Sequence, residues 1–543
     1  MLNELLQGLA ATFQPMTLLY VFLGVFIGTF IGVLPGLGPT ATIALLLPIT
    51  YTMDATQAII MLAGIYYGSM YGGSITSILL RLPGEAATVV TSFDGYAMTK
   101  AGRAGPALGM QAIASFLGGT TAVVGLTLLA PLMVKVSASF GPPEYVALAV
   151  IGLTLVTYLG TGRLWKAVAM AALGLWLSTL GTDPITGTQR FTFGSVSLFD
   201  GLDFVAVAMG LFGVGELLHS IEQSDTAQKV KAKIKGIWPT RSDFKDSAGP
   251  IARGSILGFF IGVLPGGGGV VSSMASYVME KRLSKTPENF GRGAIQGVAG
   301  PEAANNASST AAFIPLLTLG LPPNVVLALI YGALLIQGVT PSPELITEHP
   351  EIFWGVIASM YVGNVMLLIL NIPLVGIFVN LMRVKPGILA AFALLITLAG
   401  VYSINNDWTD MVVLLVFGII GWLMKKTSFE PGPLVLAFVL GPILEQSFRQ
   451  SLLLSGGDPS IFISRPVSGL MLGALAFAVA VSTILRARRK RISSQRERIS
   501  YGSTGGIEQS GRYRSAGSSA AKDPSGLNTI DKNRDTEAGM DDA

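Results

Sequence analysis

The sequence predicts an all-α polytopic membrane protein built from two inverted-topology repeats, with about 10–12 transmembrane helices plus two re-entrant helical hairpins. Three observations lead there: an apolar composition, a motif that occurs once in each half, and the distribution of basic residues between loops. Of 543 residues, 51% are hydrophobic and 13% are charged, about half the charge fraction of a soluble domain. Mean hydropathy is +0.60. Apolar runs at residues 18–33, 116–134, 146–159, 411–424 and 470–485 are long enough for full or partial bilayer spans. The chain has no cysteine and two histidines, His219 and His349, which removes thiolate metal sites, disulfides, thiol catalysis and His-rich metal sites. The start of the chain lacks a basic segment and carries Glu4, so no cleavable signal peptide is expected. Leu2, Leu5, Leu6 and Leu9 share one helical face and suggest an interfacial helix.

The repeat is read from two segments. Gly28-Thr-Phe-Ile-Gly-Val-Leu-Pro-Gly-Leu-Gly38 and Gly258-Phe-Phe-Ile-Gly-Val-Leu-Pro-Gly-Gly-Gly268 agree at nine of eleven positions, 230 residues apart. Leu82-Pro83-Gly84 matches Leu321-Pro322-Pro323 at an offset of 239, and the polar insert at 281–290 absorbs the difference. An ancestral duplication follows. The halves are residues 1–222 and 253–485, joined by a basic linker, 223–252. A polar tail, 486–543, is expected to be disordered and cytoplasmic.

Lysine and arginine accumulate on the cytoplasmic side of membrane proteins. Lys229, Lys231, Lys233, Lys235, Arg241 and Lys245 place the linker inside. The second Pro-Gly segment is flanked by Arg253 and by Lys281, Arg282 and Lys285, so it should enter from the inside and turn back. No Lys or Arg occurs before Arg81, so the first Pro-Gly segment should do the same from the outside. Arg383 with Lys385 and Arg486 onward join the inner set. Lys135 is an exception, and the acidic stretch 341–351 reads as external.

Breaking a helix inside lipid exposes backbone groups at several kcal/mol each, so such breaks persist where protein, ions or solute satisfy them. A Gly-rich turn opening a helix offers free amides and the positive dipole end to a carboxylate. This singles out Gly36, Gly38 and Thr40 in the first half, and Gly267, Gly268 and Ser272 in the second. Close helix packing through small residues is the alternative reading. Each hairpin is followed by a polar, small-residue helix broken at a Leu-Pro pair. The first holds Ser74; the second holds Asn305, Asn306, Ser308, Ser309 and Thr310. Ser74, Asn305, Asn306 and Ser309 are candidates for solute binding; Gly266, Asn306 and Thr310 are candidates for holding a coupling ion. Arg81 and Glu302 are possible charge partners near membrane depth, with Glu85 nearby and Asp94 interfacial. Interhelical hydrogen bonding is again the alternative.

Gly32-Val-Leu-Pro-Gly-Leu-Gly-Pro39, Tyr71-Gly-Gly-Ser74, Pro83-Gly-Glu-Ala86, Asp94-Gly-Tyr96, Gly102-Arg-Ala-Gly105 and Pro301-Glu-Ala-Ala-Asn-Asn306, followed by Leu317-Thr-Leu-Gly-Leu-Pro322, resemble the large membrane subunit of tripartite tricarboxylate transporters, the TctA family. The resemblance runs over about residues 15–485. It implies a secondary symporter in the cell membrane, driven by Na⁺ or H⁺ and free of other cofactors. It implies a small membrane subunit and an extracytoplasmic solute-binding protein as partners, and citrate or another carboxylate as substrate. Besides these, lipid is the expected contact; nucleic acid is not. Two stretches depart from the family pattern: Ala307-Ser-Ser-Thr310 replaces mostly Ala and Gly, and Arg81 replaces a neutral residue. A self-sufficient carboxylate symporter and a passive anion channel are the other transport readings. No enzyme is expected: the chain has no Gly-x-Ser-x-Gly, His-Glu-x-x-His or Walker A sequence.

Overall fold

A computed structural model of the chain describes residues 2–34, 38–82, 84–137, 140–159, 163–222, 236–264, 266, 268–373 and 405–481, with a few more between 375 and 403 and at 483. Residues 1–472 form one compact unit and 473–543 a second. Lys229 to Lys235, Arg383, Lys385 and the tail from Arg486 lie outside the described residues. The described chain is helical apart from short turns and a two-stranded antiparallel ribbon, β1 (Gly181–Thr182) with β2 (Gln189–Arg190). Five described helices are long and apolar enough to cross a membrane, and six shorter apolar helices accompany them. Each predicted apolar run overlaps one of these eleven; 116–134 and 411–424 fall wholly inside theirs, while 18–33, 146–159 and 470–485 run past the helix ends. The fold is that of an all-α polytopic membrane protein.

The first helix, α1 (Leu2–Thr12), exposes Leu2 and Leu6 and seats Gly8 on the backbone of Trp354. Next, α2 (Pro15–Gly32) starts with proline in its first turn, where the missing N–H costs nothing. The helix stops before the Pro-Gly motif, and α3 (Pro39–Thr50) restarts on another proline. Asp54 caps α4 (Ala55–Leu80), accepting from the Thr56 amide at 2.9 Å. Despite its glycines, α4 is continuous over 26 residues. Packing explains this. A Cβ at Gly24, Gly28 or Gly32 would strike the carbonyls of Met61, Ile65 and Ser69 in turn, so α2 and α4 run parallel in backbone contact. The small residues permit that approach, and α2 covers the backbone that they would otherwise expose. Arg81 ends α4 in the left-handed conformation, φ 59°. The chain then folds back: the Gly84 amide donates to the Gly73 carbonyl at 3.3 Å.

Through the middle run α5 (Thr91–Lys100), α6 (Ala104–Ser137), α7 (Pro142–Leu159), α8 (Leu164–Leu177) and α9 (Phe204–Ala208). A π-helical turn, Met209–Val214, carries α9 into α10 (Gly215–Glu222). A capping box between Thr240 and Asp243 opens α11 (Arg241–Val263). This helix also stops at its Pro-Gly motif, and α12 (Gly268–Leu283) follows. Then come α13 (Gln296–Ala311), α14 (Phe313–Leu319), a break at residues 320–324, and α15 (Val325–Ile336). The parallel pairing recurs: a Cβ at Gly254, Gly258 or Gly262 would strike the carbonyls of Gly300, Ala304 and Ser308. The chain continues through α16 (Leu345–Glu348), α17 (Pro350–Asn371), α18 (Trp408–Lys426), α19 (Gly432–Leu454) and α20 (Ile461–Ser464).

The second break rests on Gly266, whose φ is +74° and whose amide donates to the Pro323 carbonyl at 2.9 Å. A β-branched side chain there is strained by about 1–2 kcal/mol from the backbone alone. Its Cβ would also press on the backbone of Leu155 and Val156. Gly266→Val is therefore expected to lower the thermal stability and folded yield of the purified protein. Val124→Ala, at a 44% exposed position, should leave both unchanged. Equal tolerance of the two changes would contradict the tight turn.

Within the first unit the two sequence halves interlock: α13 packs on α4, α5 and α6, and α15 packs on α3 and α4. Ion pairs tie the ends of distant helices, among them Arg103–Asp243 at 2.7 Å, Arg253–Glu280 at 2.6 Å and Arg465–Glu144 at 2.9 Å. In the loop after α8, the Ile185 amide and the Arg449 guanidinium hold the Asp183 carboxyl well below the ordinary carboxylate range. A depressed carboxylate contributes above its unfolded value of about 3.9, so this link is lost only as the pH falls below that.

Candidate functional site

The polar residues singled out by the sequence gather along α13. Glu302 is fully buried. Its Oε1 accepts from Ser74 Oγ at 2.7 Å and Thr91 Oγ1 at 2.5 Å, and its Oε2 accepts from Ser115 Oγ at 3.1 Å. Those hydroxyls come from α4, α5 and α6. No basic side chain among the described residues pairs with this carboxylate. Arg81, considered as a charge partner, is an exposed helix cap; Ser74 takes the place beside Glu302 instead.

One turn further along α13, Asn305 is 1% exposed, and neither its Oδ1 nor its Nδ2 has a protein partner. Asn306 Nδ2 donates to the Glu302 carbonyl at 3.1 Å, while its Oδ1 and the Ser308 hydroxyl are buried without partners. Leaving such a group unpaired costs about 1–3 kcal/mol, and native proteins seldom hold several together. The first turn of α12 lies against this patch. A Cβ at Gly269 would collide with Asn305 Oδ1, and Ser273 Oγ donates to the Pro301 carbonyl at 3.3 Å. Opening amides of α12, which lack intrahelical partners, thus sit beside a free carboxamide. That combination suits an oxyanion.

The remaining candidates divide. Gly36 and Gly267 lie outside the described residues. Gly38 is the extended cap of α3 and accepts from Thr42 Oγ1 at 3.0 Å; Thr40 is half-buried in the same turn. Gly268 opens α12 at φ 33°. Ser272 spends its hydroxyl on the carbonyls of Gly268 and Gly269, and Ser309 donates to the Asn306 carbonyl. Thr310 is buried on α13. Gly266 lies against Leu155 and Pro323.

Asp94 is fully buried within the protein. Its Oδ1 accepts from the amides of Gly291, Gly293 and Ala294, each at 2.8 Å, and its Oδ2 accepts from Tyr277 Oη at 2.9 Å. This joins α5 of the first half to the loop before α13. Asn324 makes the reverse connection: its side chain caps α15 and donates to Tyr66 Oη on α4 at 3.2 Å. Sequence reasoning missed Thr91, Ser115 and Asn324. Ser115, four residues after Gln111 in an otherwise apolar helix, carried a signal of polar residues at membrane depth. Thr91 carried none.

Residues 18–436 match the family described as the Tripartite tricarboxylate transporter TctA family. The chain belongs to the TctA family. A relative in Agrobacterium vitis, an uncharacterised 52.8 kDa protein from the TAR-I ttuC' 3' region, is 45% identical over 494 residues, covering 91% of this chain and 98% of the relative. A second uncharacterised protein of Agrobacterium vitis, from the TAR-II ttuC' 3' region, is 47% identical over 234 residues, covering 43% of this chain and 97% of the relative. No solved structure matches the chain. Membership makes this protein a transporter component of a tripartite system with partner subunits. The matched segment contains both Pro-Gly breaks, Glu302 and the Asn305–Ser308 cluster.

Proposed function

We propose that this TctA-family chain is the large transmembrane subunit of a binding-protein-dependent secondary transporter in the cell membrane. It takes up a tricarboxylate or other small carboxylate by symport with Na⁺ or H⁺. An extracytoplasmic binding protein delivers the solute, and a small membrane subunit completes the assembly. The observation that carries the reading is the set of unpaired polar atoms on Asn305, Asn306 and Ser308, buried against the first turn of α12. Neutral donors and helix-end amides hold a carboxylate without a permanent cation, which favours release on the other side. The recurrence of the parallel pairs α2/α4 and α11/α13, each ending at a Pro-Gly break, supports two inverted repeats whose re-entrant hairpins meet near the middle of the bilayer.

The test begins by identifying the solute carried by the cognate binding protein with native mass spectrometry. That labelled solute is then offered to cells expressing all three subunits under an imposed Na⁺ or H⁺ gradient. Accumulation against the solute gradient is expected under one of them. Passive equilibration alone would contradict symport and favour a channel. Orientation is tested separately, because the chain has no native cysteine. Cysteines introduced at Lys235 and Ile346 should react with impermeant reagents from opposite faces. Labelling of both from one face would contradict the inverted arrangement.

A further inference from the structure

We infer that Glu302 is the group that carries the coupling cation, and that the cation is a proton. The inference rests on the symport reading above and narrows its driving ion. Its basis is the ligand set of one carboxylate. Glu302 is 0% exposed, and three hydroxyls on three separate helices reach its two oxygens at 2.5–3.1 Å. A buried carboxylate kept permanently ionised is normally met by a cationic side chain; Arg253 serves that purpose for the Glu280 carboxylate. Glu302 instead has three hydroxyls and the neutral Gln111 carboxamide of α6 around it. A hydroxyl donates to an ionised carboxylate and accepts from a protonated one by rotating its own hydrogen. Ser74, Thr91 and Ser115 can therefore satisfy both protonation states. An arginine or a backbone N–H, which can only donate, would favour the anion, whereas a carboxamide such as that of Gln111 can donate or accept.

The other charged and titratable groups around α13, Glu85 apart, are committed to partners of their own. From α11 and α12, Arg253 and Glu280 neutralise each other. Asp94 of α5 is saturated by three amides and Tyr277 of α12. Tyr71 of α4 donates to Asn364 Oδ1 at 2.7 Å. Glu85, in the loop after α4, has a buried Oε2 without a partner and is the competing carboxylate that Glu85→Gln distinguishes. From α6, Gln111 and Ser115 are neutral.

The location couples the proton to the solute. Glu302 shares α13 with Asn305 and Asn306, and the Asn306 carboxamide donates to the Glu302 carbonyl. Its hydroxyl partners belong to the opposite sequence half. In the loading step a proton from water on one side forms an O–H bond on a Glu302 oxygen and neutralises it. In the release step that bond breaks and water on the other side takes the proton. The protonated acid bonds the halves through neutral contacts; the anion draws all three hydroxyls inward. A change in protonation thus changes how α13 is held against α4, α5 and α6.

The test uses infrared difference spectroscopy on the purified full-length protein in lipid. Spectra are recorded across a pH series in sodium chloride and in choline chloride, with no solute needed. The expected result is a protonated-carboxyl band that disappears as the pH rises, with the same midpoint in both salts. Glu302→Gln should abolish it, and Glu85→Gln should retain it. Ser115→Ala removes one donor to the anion and should raise the midpoint by about one pH unit; this variant carries the assignment if Glu302→Gln does not fold. The inference is overturned if no such band titrates, if it survives in Glu302→Gln, if Ser115→Ala leaves the midpoint in place, or if sodium abolishes it. Uptake is measured in parallel. A titrating Glu302 in a protein that moves no solute would sink the transport reading and leave only the protonation of Glu302 standing.

Discussion

Asn305→Ala is expected to lower solute uptake by about 10- to 100-fold without destabilising the protein. The magnitude follows from one or two hydrogen bonds to a charged solute, each about 1.5–3 kcal/mol. The unusual part is the absence of a stability cost. Most buried amides are hydrogen-bonded, and truncating one strands its partner. Both polar atoms of the Asn305 side chain lack a protein partner, so alanine strands nothing and removes two unpaired groups. Asn306→Ala differs: it loses the bond to the Glu302 carbonyl as well, so uptake and stability should both fall. The comparison requires uptake rates together with thermal unfolding of the same preparations. Normal uptake in both variants would remove this cluster from the site. Impaired folding of Asn305→Ala would make it structural.

The largest structural effect is expected at Asp94. Alanine there leaves three backbone amides and the Tyr277 hydroxyl unpaired in a buried position, at about 1–3 kcal/mol each. The total exceeds what one exposed ion pair contributes. Asp94→Ala should therefore give little folded protein, read as the monodisperse fraction after solubilisation. Asp94→Asn should recover part of it, because the amide oxygen can still accept from the three N–H groups while the NH₂ faces the Tyr277 oxygen. Folding of Asp94→Ala at the native level would show that this link between the halves is dispensable.

Much of the architecture was legible because it depends on local rules. Clustered proline and glycine at residues 35–39 and 265–269 make poor continuous helix, and the helices break between Gly32 and Pro39 and between Val263 and Gly268. The i, i+4 spacing of Gly28 and Gly32 left close packing open as an alternative and did not name the partner, since any small-residue stripe would serve. Asn305 stood out because polar residues are scarce in apolar sequence. What stayed hidden depends on contacts far apart in the chain. Thr91 meets Glu302 across 211 residues, and one threonine among many gives no sign of that. Asp94 gave no sign of its partners, because the three amides that bind it come from about 200 residues away. Arg81 attracted attention as a charge in an apolar region, yet it ends its helix and faces outward.

The most direct test of the account uses the absence of native cysteine. A single Asn305→Cys variant is reacted with a small charged thiol reagent in membranes carrying the complete assembly, with and without the solute identified on the binding protein. If the cluster beside α12 forms the solute site, the thiol should be modified during turnover and protected by saturating solute. Modification at the same rate with and without solute, or none at all under active transport, would contradict it.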